Sequence, residues 1–231
     1  MTWLEYVEKK VHCATALDAG QCKGGYADAC LILAAVLSGI ASDLWPGRGI
    51  DRVRFVELWI RHVDPGLNAN LVSVPLLSQS LWASKRGTEA KALEAARPRM
   101  FGPGYDARVL SGPEADMQEA EVRRLCPRLT LPDVRRFSYP AVFYEQVRSA
   151  ITHEYHTGTS ATEFPMRRDG PVSYSNRVNG GEESGRLIHF RVQWLGEIVR
   201  SAAAATEPII DAGKPTPPAI WWFDGGKVVA P

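Results

Sequence analysis

The run from Tyr26 to Leu44, YADACLILAAVLSGIASDL, decides the fold. It is apolar on nearly every side, and a helix that is hydrophobic all round belongs in a protein interior. Its densest part, Ala29 to Ile40, is only about 12 residues long. A membrane helix needs roughly 20, and Asp28 and Asp43 flank the run. The stretch therefore predicts a central core helix, and its neighbours read as the cover over it. Gly24-Gly25 precede it, and Trp45-Pro46-Gly47-Arg48-Gly49 stops it.

Upstream, Trp3, Leu4, Val7, Val11 and Ala14 recur at helical spacings and predict an amphipathic first helix. Downstream, Asp51 reads as the N-cap of a third helix from Arg52 to about Val63. Val53, Val56, Ile60 and Val63 form its expected buried stripe, with Arg54, Glu57 and Arg61 toward water. Further helices are expected over 76–96, 114–125, 140–156 and 192–205, with 98–113 as a Gly/Pro-rich loop and Gly158 closing the helix before it. Pro140 suits a first helical turn. Val172–Val178 and Arg186–Phe190, joined through Asn179-Gly180-Gly181, predict a β-hairpin within 159–191. Ile220-Trp-Trp-Phe223, Asp224-Gly225-Gly226 and Lys227-Val-Val229 predict a second one within 219–230. The expected architecture is mainly α: an up-and-down helical bundle in one domain, residues 1–231, with small β-hairpin elaborations toward the C-terminus.

Composition bounds the function. Of 231 residues 45% are hydrophobic and 23% charged, which excludes global disorder. A formal charge of +1 removes any whole-protein electrostatic attraction to nucleic acid or membrane and leaves local patches to carry it. Arginine outnumbers lysine 20 to 7, a bias toward the planar cation that grips phosphate and carboxylate. The densest basic stretch is Arg123, Arg124, Arg128, Arg135 and Arg136, either a solvated connector or a phosphate-facing segment. Cys13, Cys22, Cys30 and Cys126 have no zinc-ligand spacing and no secretory context, so a cytoplasmic protein is expected, with no membrane partner. Gly47-Arg48-Gly49 reads as a turn and Trp221-Trp222 as packing; no P-loop, G-x-G-x-x-G or G-x-S-x-G is present.

One constellation carries possible chemistry. Arg148-Ser149-Ala150-Ile151-Thr152-His153 is an Arg-x4-His motif with a polar residue after the arginine, followed by Glu154-Tyr155-His156. The spacing alone is common; its place on a strongly periodic helix, late in an all-helical array, is what gives it weight. In an α-helix Phe143, Val147, Ala150 and Glu154 share one face. Arg148 and His153 then diverge by about 140° across the polar edge. One straight helix does not easily aim both at one atom, whereas two copies packed across a two-fold axis could.

In this setting the chain resembles the HEPN superfamily, helical-bundle proteins of which many are metal-independent endoribonucleases with an Arg-x4-6-His motif. The resemblance covers helix order over residues 1–157 and the helix near 192–205; in sequence it rests on Val147-Arg148 to His153-Glu154-Tyr155. It implies a homodimer with a composite cleft, single-stranded RNA as substrate, no metal or other cofactor, and a toxin–antitoxin or phage-defence setting with an antitoxin protein as partner. Histidine titrates near neutral pH, so His153 is assigned as general acid/base. Arg148 is assigned as phosphate clamp and transition-state stabiliser, with Ser149 and His156 in support. Three other readings stand beside it. In the first, Arg148 pairs structurally with Glu145 or an acidic residue on a neighbouring helix, and His153 caps a core edge. In the second, the chain is a non-catalytic helical module that uses the same cleft to hold nucleotide, RNA or a protein partner. In the third, His153 and His156 share a metal with a third ligand.

Overall fold

The computed structural model describes residues 2–98, 109–164, 170–179, 182–213 and 215–223. The first helix, α1 (Trp3–Asp18), starts at a capping box. Thr2 Oγ1 accepts the Glu5 N–H and the Glu5 carboxylate accepts the Thr2 N–H, both at 3.1 Å. It buries Val7, Val11, Ala14 and Leu17. Helix α2 (Tyr26–Leu44) buries ten side chains, from Tyr26 to Leu44, against α1 and the C-terminal helix α10 (Val192–Asp211). At 19 residues α2 is long and apolar enough as a whole to cross a membrane; in this fold it is the centre of the bundle.

Helix α3 (Asp51–His62) packs on α2 and α10; of its expected stripe Val56 and Val63 are buried, and Val53 and Ile60 only partly so. Asp51 is the first helical residue and Ile50 takes the cap position. The Asp51 carboxylate is instead held by Arg54, whose guanidinium also reaches the carbonyls of Trp45 and Gly47 at 3.3 Å each. Phe55, Val56, Glu57, Leu58 and Trp59 are the buried residues. Glu57, expected in water, is fully buried: it pairs with Arg61 and accepts the backbone N–H of Trp222 at 2.6 Å.

The helix expected over 76–96 is two, α4 (Val74–Ala83) and α5 (Gly87–Ala95), separated where Lys85 turns left-handed (φ 61°). The one expected over 114–125 is also two, α6 (Gly112–Ala115) and α7 (Glu119–Leu125). They part because Asp116 turns inward to the hydroxyls of Tyr139 and Tyr174 and the N–H of Val74. With α8 (Leu131–Arg135), α4, α5 and α7 enclose a smaller second core around Leu77, Leu81, Leu93 and Val122.

Much of the expected loop over 98–113 lies outside the described residues, but Leu110–Ser111 form a short strand, β1. It pairs antiparallel with β2 (Val172–Asn179), and β2 with β3 (Glu182–Phe190), in the order β1-β2-β3. The anticipated hairpin is thus present, enlarged by an edge strand from far upstream. The second hairpin is not formed by its described half. Residues 220–223 are a strap across α3, with Trp221 buried edge-on to Trp45 at 5.4 Å, while 224–230 lie outside the described residues. The chain is mainly helical, with a small three-stranded antiparallel sheet.

Candidate active site

The motif helix, α9, spans residues 139–154 and is not one regular coil. Tyr139–Phe143 and Ala150–Glu154 are α-helical, and Tyr144–Ser149 between them winds as a π-helix. A π turn needs somewhere for the backbone groups it displaces, and α9 finds it in the loop that follows. The Gly158 N–H donates to the Gln146 carbonyl at 2.6 Å, and the Ser160 N–H to Gln146 Oε1 at 3.1 Å. A Cβ on residue 158 would stand 2.4 Å from Gln146 Oε1 and 3.2 Å from its Cα, so a side chain here would displace the Gln146 amide that holds Ser160 or push the turn open. Gly158 therefore does not close the helix as expected. Tyr155 ends it instead, in the left-handed conformation (φ 58°).

Arg148 lies on the π segment, half-buried. Its guanidinium sits over the Tyr144 ring at 4.9 Å, and Nη1 donates to Tyr144 Oη at 3.3 Å. Tyr144 in turn packs edge-on against Phe55 at 5.3 Å, so α3 aims the arginine through an aromatic pair. Glu145, the carboxylate nearest in sequence, is taken by Arg52 of α3. Among the described residues Arg148 has no carboxylate partner. Its positive charge is held in place by neutral groups.

His153, near the helix end, is exposed and has no hydrogen-bond partner among the described residues. Thr152, beside it, donates Oγ1 to the Arg148 carbonyl at 2.6 Å. Ser149 is half-buried next to Arg148. His156, expected on the same helix, lies beyond its end. Its Nδ1 is 2.7 Å from the Thr157 carbonyl and its Nε2 3.2 Å from the Glu154 carboxylate, so it faces its own turn. Tyr155, which sequence reasoning did not single out, is 88% exposed beside His153. Its only advance signal is its position directly after the motif.

Within one chain no hydrogen bond joins Arg148 to His153. The π winding changes the angle that an unbroken α-helix would set between them. Among the described residues no group of three His, Cys, Asp or Glu side chains gathers to hold a metal ion. Of the other histidines, His189 is buried against Tyr26, and burial pushes its pKa down. No family model, curated protein or solved structure matches this chain.

Proposed function

We propose that the chain is a HEPN-like, metal-independent endoribonuclease that cleaves single-stranded RNA at a composite site, with Arg148 from one copy and His153 from a second. The observation that carries this reading is the pairing of an arginine positioned by a tyrosine ring, with no carboxylate to neutralise it, and a water-facing imidazole with no partner, five residues apart on one distorted helix. Two copies across a two-fold axis would supply both groups to one phosphodiester.

In the proposed step a proton leaves the ribose 2′-oxygen for an imidazole as that oxygen attacks phosphorus. The bond from phosphorus to the 5′-oxygen breaks, and that oxygen takes up the proton from the imidazolium, which returns to its neutral form. The products are a 2′,3′-cyclic phosphate and a 5′-hydroxyl. Arg148 holds the two non-bridging oxygens and opposes the charge that grows on them in the transition state. Ser149 orients the phosphate beside it. A single strand bends into such a cleft more readily than a duplex. The proposed setting is a cytoplasmic toxin–antitoxin or phage-defence system with an antitoxin protein as partner.

A second reading, a non-catalytic helical module, is favoured by one observation: no hydrogen bond joins Arg148 to His153 in the single chain. Incubating the protein with single-stranded RNA in EDTA separates the two. Cleavage is expected to persist in chelator. It is expected to fall by about 100-fold or more in His153→Ala and in Arg148→Ala, with thermal unfolding unchanged. RNA bound but intact would favour the module, and activity dependent on added metal would contradict the proposal.

A further inference from the structure

A groove of about 340 Å³ is bounded by α4, the segment after α8, and α9 together with its following loop. That volume is within the range of small-molecule sites, roughly 300–1,000 Å³. Leu76, Ala83, Phe137 and Val142 give it an apolar side. Its polar side holds Gln79, Arg136 and Gln146 as hydrogen-bond donors. Gln79 and Gln146 each commit the amide oxygen to a backbone N–H, of Arg186 at 2.9 Å and Ser160 at 3.1 Å. That fixes the amide orientation and leaves both Nε2 groups as donors with no partner among the described residues.

Arg136 completes the donor set. It lies against the Phe137 ring at 4.8 Å and donates to Ser80 Oγ at 3.1 Å, and it has no carboxylate partner among the described residues. Its neighbour Arg135 differs: Glu119 pairs with it, and it also donates to the Trp222 carbonyl. The carboxylate at the groove, Glu145, is itself paired with Arg52. A carboxylate ligand has two oxygens in one plane, which a single guanidinium satisfies. Donors from three separate elements lining one groove instead suit the three tetrahedral terminal oxygens of a phosphate.

We propose that this groove binds a small phosphate monoester, with Arg136, Gln79 and Gln146 on the phosphoryl oxygens and the ligand's apolar part against Phe137 and Val142. The site is separate from Arg148 and His153 and does not rest on the ribonuclease reading. Phenyl phosphate is the direct probe, titrated calorimetrically into the intact protein. Saturable binding is expected, at least about tenfold tighter than for benzoate and weakened at least about tenfold by Arg136→Gln, since a charge-assisted bond is lost. Gln79→Leu should weaken it in the same direction, while Arg124→Gln, at an exposed arginine outside the groove, should leave it unchanged. A parallel titration with 5′-phosphorylated and 5′-hydroxyl oligoribonucleotides shows the source. An Arg136-dependent preference for the phosphorylated end assigns the groove to an RNA terminus; equal binding of the two, with phenyl phosphate still bound, assigns it to a free metabolite. No saturable binding of phenyl phosphate, equal affinity for benzoate, or indifference to Arg136→Gln in a protein of unchanged thermal stability would overturn the proposal.

Discussion

Asp116 is 3% exposed and sits between the hydroxyls of Tyr139 and Tyr174, with Tyr174 Oη 2.7 Å from its carboxylate and 2.8 Å from Ser73 Oγ. Burial pushes its pKa up to about 7, against the pull of the two tyrosines and the Val74 N–H, which favour the charged form. The folded-state value lies above the ordinary one, so the stabilisation is complete below about pH 4 and is lost as the pH rises toward 7. That displacement corresponds to on the order of 4 kcal/mol. Urea unfolding of the wild type and Asp116→Asn should therefore diverge: the wild type loses stability relative to the variant between about pH 4 and pH 7. Parallel pH profiles would show that Asp116 does not titrate in the folded protein over this range. Sequence reading missed this carboxylate because its partners are 23 and 58 residues away. Glu57 was missed for the same reason. Its neighbours on α3 mark a water-facing edge, and only the strap at Trp222 makes that edge an interior.

At the scale of elements, the boundaries of α2 were legible from 26 to 44, because its signals are local: an apolar run, Gly24-Gly25 before it and Trp45-Pro46 after it. The breaks at Lys85 and Asp116 were not, since neither residue is a glycine or proline and each interruption is tied to distant partners. Arg86, just past Lys85, is held by Asp133 and the Arg128 carbonyl. The π turn of α9 was equally hidden. Its stretch YEQVRS has ordinary helical residues, and what sustains the turn is the Gly158 N–H on the Gln146 carbonyl. Gly158→Ala should therefore destabilise the protein by about 1–3 kcal/mol in denaturant unfolding. It should also reduce RNA cleavage, because the turn it disturbs carries Arg148. Unchanged stability and activity would show that the 157–161 loop does not hold the π winding.

At the scale of the whole molecule, the mainly helical class and the first hairpin were legible from patterning. The smaller core around Leu77 and Leu93 was not, nor was the strap over α3, since both depend on how distant segments meet. The candidate residues were legible as a motif. The sequence did not reveal that Tyr144 would carry Arg148, that Arg52 would remove Glu145 from contention, or that His156 would fold back on Thr157. A composite site built from two copies is tested most directly by mixing inactive Arg148→Ala and His153→Ala chains. After subunit exchange, heterodimers that hold one intact Arg148 and His153 pair should regain part of the RNA cleavage in EDTA. A mixture that stays inactive despite demonstrated exchange would contradict the composite site.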